Sequence, residues 1–233
     1  MTEREINIAV DGHSSTGKST LARQLAERLR YRYIDTGAMY RAVTLYALNA
    51  GMAGEGKVDE KSLVAALPEI NIDFDAAHGG NHTLLNGVNV EGEIRAMQVS
   101  NHVSHVAKIA EVRKKLRELQ QEAAGKGGVV MDGRDIGSAV LPDAELKIFM
   151  TADPEVRTER RYIELQAKGN PATRAAVREN IAERDRIDTG RKENPLVRVP
   201  EARLLDNSSL TPEEQLEIAA RWAREVRSGL KEA

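Results

Sequence analysis

The stretch GHSSTGKST, residues 12–20, decides the fold of this chain. It follows the apolar run INIAV at residues 6–10, precedes a helical pattern, and matches G-x-x-x-x-G-K-[ST] in full. In that pattern the glycines let successive backbone N–H groups surround phosphate oxygens, and the start of the helix adds the positive end of its dipole. The stretch therefore predicts a phosphate-binding loop. The alternative interpretation is a glycine turn that only joins a strand to a helix.

The residue types within the loop indicate a nucleoside triphosphate as its ligand. The Lys18 amine is expected to bridge the β- and γ-phosphates, and the Ser19 hydroxyl is expected to bind the Mg²⁺ ion that accompanies ATP. The residues that we assign to ATP are Gly12, His13, Ser14, Ser15, Thr16, Gly17, Lys18, Ser19 and Thr20.

Apolar runs alternate with longer helical patterns over most of the chain. The predicted strands lie at residues 6–10, 31–34, 129–131, 146–150 and 204–205. The predicted helices lie at residues 18–30, 40–49, 100–124, 154–168, 174–187 and 212–227. This alternation predicts an α/β fold in which a five-stranded parallel sheet is covered by helices on both faces.

The segment between Gly51 and Arg95 departs from this alternation. Its apolar patterns are short, and the pair Asn86-Gly87 is a strong signal for a two-residue hairpin turn. We therefore expect a small antiparallel lobe inserted into the α/β core.

Composition excludes several classes of protein. The 233 residues carry a formal net charge of −2. This charge argues against a protein that binds the phosphate backbone of nucleic acids, which normally requires a surplus of basic residues. The absence of cysteine excludes disulfides and thiolate chemistry. The N-terminus has no apolar signal segment, and no run of about 18 apolar residues occurs. We therefore expect a cytoplasmic protein that does not contact a membrane.

The phosphate-binding loop by itself does not separate kinases from GTPases, motor ATPases or transporters. The chain lacks the Asp-x-x-Gly and Asn-Lys-x-Asp stretches that are typical of GTPases, and it is short for a motor domain. A kinase also needs a site for the phosphate acceptor, and the rest of the sequence is expected to supply it.

Four further stretches fit together with the loop. They are DTGAMYR at residues 35–41, GEIR at 92–95, DGRDIG at 132–137 and RDRIDTGR at 184–191. In this order and spacing they closely resemble the bacterial cytidylate kinases, which are nucleoside monophosphate kinases. The resemblance implies a P-loop kinase core at about residues 1–38 and 99–233, an inserted monophosphate-binding lobe at about 39–98, and a helical lid at about 157–191.

The resemblance implies that a monomer transfers the γ-phosphoryl group of ATP to CMP or dCMP, with CDP or dCDP and ADP as products. Ser104, Arg113 and Asp135 resemble the family's cytosine-reading trio. A carboxylate accepts from the exocyclic amine of cytosine, whereas uracil presents an oxygen there. An ion pair with a neighbouring arginine is the alternative interpretation of Asp135. The full set that the resemblance assigns to CMP is Thr36, Tyr40, Arg41, Ser104, Arg113, Arg134, Asp135, Arg184, Asp188 and Arg191.

The resemblance assigns catalysis to a cluster of cationic side chains. Planar guanidinium groups suit the charge that spreads over the oxygens of a transferring phosphoryl group. The alternative interpretation is that the arginines form salt bridges on a solvated surface. The assigned residues are Lys18, Arg157, Arg161 and Arg186.

Asp132 is expected to join Ser19 in binding Mg²⁺. It ends the apolar run at residues 129–131, at the carboxyl edge of a predicted strand, where ligands of open α/β sheets bind. A carboxylate there can hold a water molecule on the ion, and the alternative interpretation is a helix or turn cap.

The chain departs from the family pattern at His13 and Ser15, where many cytidylate kinases have proline and glycine. The departure leaves the affinity of the loop open. The strictness of CMP over UMP and the relative use of dCMP are also open. Two rival functions stand beside the proposed one. The first is a kinase for UMP, AMP or shikimate, and the second is a nucleotide-dependent switch that hydrolyses ATP slowly.

Overall fold

The computed structural model describes residues 5–75, 82–125, 127–169 and 171–229, so residues 76–81 of the expected lobe and Asn170 of the expected lid lie outside the described residues. The strands are β1 (Asn7–Gly12), β2 (Arg32–Asp35), β3 (Ala53–Gly54), β4 (Lys57–Val58), β5 (Ile72–Asp75), β6 (His82–Leu85), β7 (Val88–Asn89), β8 (Val129–Gly133), β9 (Leu146–Thr151) and β10 (Arg203–Asp206). The α-helices are α1 (Lys18–Leu29), α2 (Thr36–Asn49), α3 (Glu60–Ala66), α4 (Met97–Val106), α5 (Ala110–Ala124), α6 (Pro154–Ala167), α7 (Arg174–Gly190) and α8 (Pro212–Gly229).

The described chain divides into two compact units. The first contains the residues up to Ile34, those from Ala123 to Gly190 and those from Asn194 onward. The second contains residues 35–122 and 191–193. Across the described ranges, no helix combines the length and the apolar content that a bilayer span requires.

A parallel sheet of order β10-β9-β1-β8-β2 organises the described part of the first unit. The central strand β1 lies between β8 and β9, with Val10 opposite Asp132 on one side and Ile148 on the other. Ile8 and Val10 are buried in a core that also contains Leu21 of α1 and the apolar face of α8. Parallel strands need helices against both faces, which is why the strands are almost continuously apolar. The α/β fold predicted from the sequence is confirmed.

The turn from β1 into α1 depends on two glycines with positive φ. Gly12 has a φ of 147°, and a Cβ atom at this position would lie 2.1 Å from the carbonyl oxygen of Met150 on β9. Gly17 has a φ of 87° and stands immediately before α1. Glycine is required at the first position because any side chain would collide with the backbone of the neighbouring strand.

The second unit has its own apolar core and an antiparallel sheet of order β5-β6-β7. Asn86 and Gly87 join β6 to β7, and their φ values of 51° and 80° are both positive, as the favoured two-residue hairpin turn requires. Leu85 and Val90 bury their side chains against Ile94 in the core of this unit. The hairpin that the Asn-Gly pair predicts is confirmed.

The sequence pattern is wrong about one long helix. It predicts a single helix over residues 100–124, but α4 ends at Val106 and α5 begins at Ala110. In the break, the Arg113 guanidinium of α5 donates a hydrogen bond of 3.0 Å to the carbonyl oxygen of Ala107. No glycine or proline marks this break, so the sequence pattern does not reveal it.

Two other helices differ from the prediction at their ends. Helix α2 begins at Thr36 because the Asp35 carboxylate accepts a hydrogen bond of 2.9 Å from the Ala38 amide and caps the first turn. Helix α7 continues to Gly190, so Arg191 lies just beyond it and belongs to the second unit.

Candidate active site

The buried side chain of Lys18 folds back over the phosphate-binding loop. Its Nζ atom donates to the His13 carbonyl oxygen at 2.5 Å and to the Thr16 hydroxyl at 3.3 Å. Burial and the neighbouring Arg134 cation hold the pKa of the Lys18 amine well below its ordinary value. A lysine in such surroundings favours an anionic ligand, because a nearby negative charge would stabilise the protonated amine against both burial and the Arg134 cation.

Ser19 and Asp132, the two expected magnesium ligands, lie together in the first unit. The Ser19 hydroxyl donates to Asp132 Oδ2 at 2.9 Å, and the Tyr33 hydroxyl donates to Asp132 Oδ1 at 2.8 Å. Among the described residues, no group of three or more acidic, histidine or cysteine side chains is arranged to hold a metal ion. Mg²⁺ usually takes one or two protein oxygens and completes its shell with phosphates and water, so this pair of oxygens fits the ion.

Arg134 connects the phosphate-binding loop to helix α7. Its Nη2 atom donates to the Ser14 hydroxyl at 3.1 Å, and its Nε atom donates to Asp188 Oδ2 at 2.9 Å. Burial opposes the charge of Arg134, but the carboxylates of Asp188 and Asp185 outweigh it and raise the pKa of the guanidinium. The structure thus brings Ser14, Arg134 and Asp188 together.

Arg157 of α6 and Asp185 of α7 grip the backbone of the loop at Ser14. The Ser14 amide donates to Asp185 Oδ1 at 2.9 Å, and Arg157 Nη1 donates both to the Ser14 carbonyl oxygen at 3.1 Å and to Asp185 Oδ2. Arg157 Nε donates to the Ala152 carbonyl oxygen at 3.1 Å. Arg157 is therefore held against the backbone of the loop.

His13, one of the two residues that depart from the family pattern, is half-buried in the loop. Its ring lies edge-on to Phe149 with the centroids 5.8 Å apart, and its Nδ1 atom lies 3.8 Å from Asp185 Oδ2. Burial lowers the pKa of His13, although the Asp185 carboxylate acts in the opposite direction. His13 therefore packs against the first unit and does not project freely into solvent.

Three further arginines differ in how they are held. Arg184 is partly buried, its buried Nε atom has no hydrogen-bond partner within the described residues, and burial together with the Arg134 cation lowers its pKa to about 10. Arg161 pairs with Glu164 through Nη1, while its buried Nη2 also lacks a hydrogen-bond partner in the described part of the chain. Arg186 is exposed and paired with Glu183. The structure therefore does not bring Arg186 into the cluster that surrounds the loop.

Asn207 closes the loop from the side of β10 and α8. Its Nδ2 atom donates to the Thr16 carbonyl oxygen and to Gln215 Oε1, each at 2.7 Å. Arg160 donates to the Asn207 side-chain and backbone oxygens at 3.1 and 2.8 Å. Sequence reasoning missed Asn207 because nothing near it in the chain resembles a binding motif.

Asp11 supports the segment that follows Asp135. Its two carboxylate oxygens accept hydrogen bonds of 2.8 Å from the amides of Ile136 and Gly137, at the start of a π-helical turn over Ile136–Val140. Burial raises the pKa of Asp11 to about 6, although the two amides lower it in part. Asp135 is itself buried. Sequence reasoning also missed Asp11, although it stands directly before the loop.

The second unit buries the side chains of Arg41 and Arg113. Arg41 Nη1 donates to the Ile94 carbonyl oxygen at 2.9 Å and to the Ser100 hydroxyl at 3.0 Å. The Arg113 guanidinium lies 5.6 Å from the ring centroid of Tyr40, so these two predicted residues are brought together. Thr36 on α2 and Ser104 on α4 are also buried in this unit, and Arg191 is assigned to the same unit.

Arg95, the last residue of the GEIR stretch, belongs to an ion-pair network in the second unit. Arg95 donates to Asp35 Oδ2 at 2.8 Å and to Glu91 Oε1 at 2.7 Å. Burial disfavours the charge on Asp35, but the Arg95 guanidinium outweighs it and lowers the pKa of the carboxyl. Because Asp35 also caps α2, Arg95 stabilises the start of the helix that carries Tyr40 and Arg41.

The fold and the loop define the class of this protein, which is that of the P-loop nucleotide-binding proteins. The strand, glycine loop and helix follow one another as that class requires, with the lysine amine over the loop. A crystal structure of an uncharacterized protein from Eubacterium ventriosum is similar, with a TM-score of 0.52 over 95% of this chain and 99% of that one. The two chains are 9% identical, so this likeness concerns the fold alone.

Comparison of sequences identifies the family within that class. The family model for cytidylate kinase matches residues 8–225. The cytidylate kinase of Parabacteroides distasonis is 54% identical over 214 residues, which cover 91% of this chain and 93% of that protein. The cytidylate kinase of Bacteroides fragilis is 47% identical over 228 residues, which cover 97% of this chain and all of that protein. The chain belongs to the cytidylate kinase family, and it is a nucleoside monophosphate kinase.

Proposed function

We propose that this enzyme transfers the γ-phosphoryl group of ATP to CMP or dCMP and releases ADP with CDP or dCDP. The observation that carries the proposal is the excess of buried cationic donors beside the loop, above all Arg184, whose Nε atom has no acceptor in the described residues. Buried polar groups almost always have a hydrogen-bond partner, and phosphate oxygens are the acceptors that a guanidinium fits best. Membership of the cytidylate kinase family supports the choice of a cytidine nucleotide.

On the ATP side, the amides of residues 12–20 would surround the phosphates. The Lys18 amine would exchange the His13 carbonyl oxygen for the β- and γ-phosphates, which carry the charge that its present partners lack. Ser19 and Asp132 would hold Mg²⁺, Asp132 through a water molecule. The ion, when bound, would neutralise part of the phosphate charge.

On the acceptor side, the residues that the family resemblance assigns to CMP would bind the nucleoside monophosphate. Asp135 would accept from the exocyclic amine of cytosine, and Asp188 would hold the ribose. The other residues that the family resemblance assigns to CMP are Thr36, Tyr40, Arg41, Ser104, Arg113, Arg134, Arg184 and Arg191.

Arg157 and Arg161 would stabilise the charge that develops on the transferring phosphoryl group. No covalent intermediate with the enzyme is needed, because positioning and electrostatics suffice for phosphoryl transfer. Arg186 would join them only after it leaves Glu183. Residues 157–191 would act as a lid that excludes water and so limits hydrolysis of ATP.

A coupled ADP-release assay over ribo- and deoxyribonucleoside monophosphates and shikimate tests this proposal. We expect the highest kcat/KM with CMP and dCMP, from a monomer that needs no nucleic acid and works in the cytoplasm, where its substrates are. If AMP, UMP or shikimate is phosphorylated and CMP is not, the proposed acceptor is wrong and the phosphorylated compound takes its place. ADP release that no acceptor accelerates would support the rival interpretation as a nucleotide-dependent switch.

A further inference from the structure

Asp185 occupies a place in the site that the proposed function does not explain. It is a carboxylate among cations that would bind phosphate, and it lies between Arg184 and Arg186 on α7. Burial raises the pKa of Asp185, but the Ser14 amide and the Arg157 guanidinium outweigh it, so the pKa of the carboxyl lies below its ordinary value. An ionised carboxylate beside a phosphate site would repel the substrate unless its charge is already used by the protein.

The hydrogen bonds of Asp185 use that charge within a closed ring. The Ser14 amide donates to Asp185, Arg157 donates to Asp185, and Arg157 also donates to the Ser14 carbonyl oxygen. One residue of the phosphate-binding loop is thus held at both its amide and its carbonyl by two side chains from different helices. The ring fixes the backbone of the loop and the guanidinium relative to each other.

Arg157 is fixed in direction as well as in place by this ring. Its Nε atom is bonded to the Ala152 carbonyl oxygen, and its Nη1 atom to Ser14 and Asp185. Because the guanidinium is planar and rigid, two anchored nitrogens set the direction in which the third donates. Without the carboxylate, only the two backbone carbonyls would hold the side chain.

We propose that Asp185 is a positioning residue for phosphoryl transfer, which orients Arg157 and the Ser14 segment of the loop without touching the substrates. This inference rests on the proposed function in one respect, namely that Arg157 acts on the transferring phosphoryl group. The charged and titratable groups that face Asp185 are His13, Lys18, Arg134, Arg157 and Arg184.

A competing role predicts the opposite kinetics. If Asp185 stands where an ATP phosphate oxygen must bind, ATP has to displace it, and removal of its charge would lower the KM for ATP. A positioning residue instead affects the transition state more than the bound substrates, so its removal lowers kcat and leaves KM nearly unchanged.

The test is a double-mutant cycle between Asp185→Asn and Arg157→Ala, measured with the acceptor that wild type phosphorylates best. Asparagine keeps an acceptor for the Ser14 amide and removes the charge that holds the guanidinium. We expect Asp185→Asn to lower kcat by about 10- to 100-fold, because small misplacements of a catalytic group have effects of that size. Both KM values should stay within about 3-fold of wild type. The double variant should be no slower than Arg157→Ala alone, since the carboxylate acts through the arginine.

Glu179→Gln is the matched control, because Glu179 is an exposed carboxylate on the same helix. It should leave kcat and the thermal midpoint unchanged, and the thermal midpoint of Asp185→Asn shows whether that variant is folded. Wild-type kcat in Asp185→Asn, a lower KM for ATP, or losses that simply add in the double variant would each overturn the inference. If the wild-type enzyme does not phosphorylate CMP but phosphorylates another acceptor, only the proposed substrate is overturned. The same double-mutant cycle, measured with that acceptor, would still decide the role of Asp185.

Discussion

Replacement of Asp11 by asparagine is predicted to change how the stability of the enzyme depends on pH. The Asp11 carboxylate is buried and accepts amide hydrogen bonds from Ile136 and Gly137. Burial raises its pKa from 3.8 to about 6, even though both amides and the Lys18 amine act in the opposite direction. Between those two values the folded protein binds a proton that the unfolded chain has released.

The sign and size of the effect follow from that difference. The contribution of Asp11 to stability is fully present below about pH 4 and is lost as the pH rises through about 6. A shift of about two pKa units corresponds to about 3 kcal/mol, of which about 2 kcal/mol falls between pH 4 and pH 7. Asparagine cannot ionise, so the variant lacks this loss.

Urea unfolding at a series of pH values measures the effect. The quantity to plot is the unfolding free energy of wild type minus that of Asp11→Asn, which should fall by about 2 kcal/mol from pH 4 to pH 7. Asp35 and Asp185, whose pKa values are lowered, lose their contributions to stability at low pH in both proteins and therefore cancel in this difference. The reasoning is refuted if the difference does not change with pH. A constant offset would reflect only the amide hydrogen bond that asparagine cannot replace.

Three further substitutions, with Gly87→Ala as a control for the first of them, test the loop and the acceptor site. Gly12→Ala should lower the free energy of unfolding by about 3 kcal/mol or more, because its Cβ atom would lie 2.1 Å from the Met150 carbonyl oxygen. Gly87→Ala, where the space around the Cβ atom is open, should lower it by about 1 kcal/mol. Thermal or urea unfolding measures both values. Lys18→Ala should lower kcat by about 100- to 1,000-fold with an unchanged circular dichroism spectrum, and wild-type turnover would exclude the loop from catalysis. Asp135→Ala should reduce the preference in kcat/KM for CMP over UMP by about 10-fold, and an unaltered preference would remove Asp135 from the base site.

Local patterns allowed the sequence to predict much of the fold. The strand, loop and helix at the N-terminus form from consecutive residues, so the glycine and lysine spacing is sufficient to identify them. The same holds for the Asn86-Gly87 hairpin, which needs only two adjacent residues with positive φ. It also holds for the start of α8, where Thr211 and Glu214 exchange the reciprocal hydrogen bonds that their spacing predicts.

The functions of individual side chains were less accessible from the sequence. From the sequence, Arg157 and Arg186 have the same predicted role. In the structure, Arg157 is held against the loop, whereas Arg186 is exposed and paired with Glu183. The break between α4 and α5 carries no sequence signal, because it coincides with a hydrogen bond from Arg113 to Ala107. Arg157 is held by a long-range contact, whereas the Arg186–Glu183 and Arg113–Ala107 contacts are local, and residue type alone predicts none of the three.

The amino-acid sequence by itself determined the phosphate-binding loop, because its residues are consecutive. It also determined the class of fold and the family, because these depend on the order and spacing of short local patterns along the chain. Only the tertiary structure decided that Asp185 and Asn207 hold the loop. The loop residues that they contact are separated from them by 171 and 191 residues of sequence, respectively. Hydrogen bonds and ion pairs depend on distance and direction in space. A linear pattern records those quantities only within a single turn or helix.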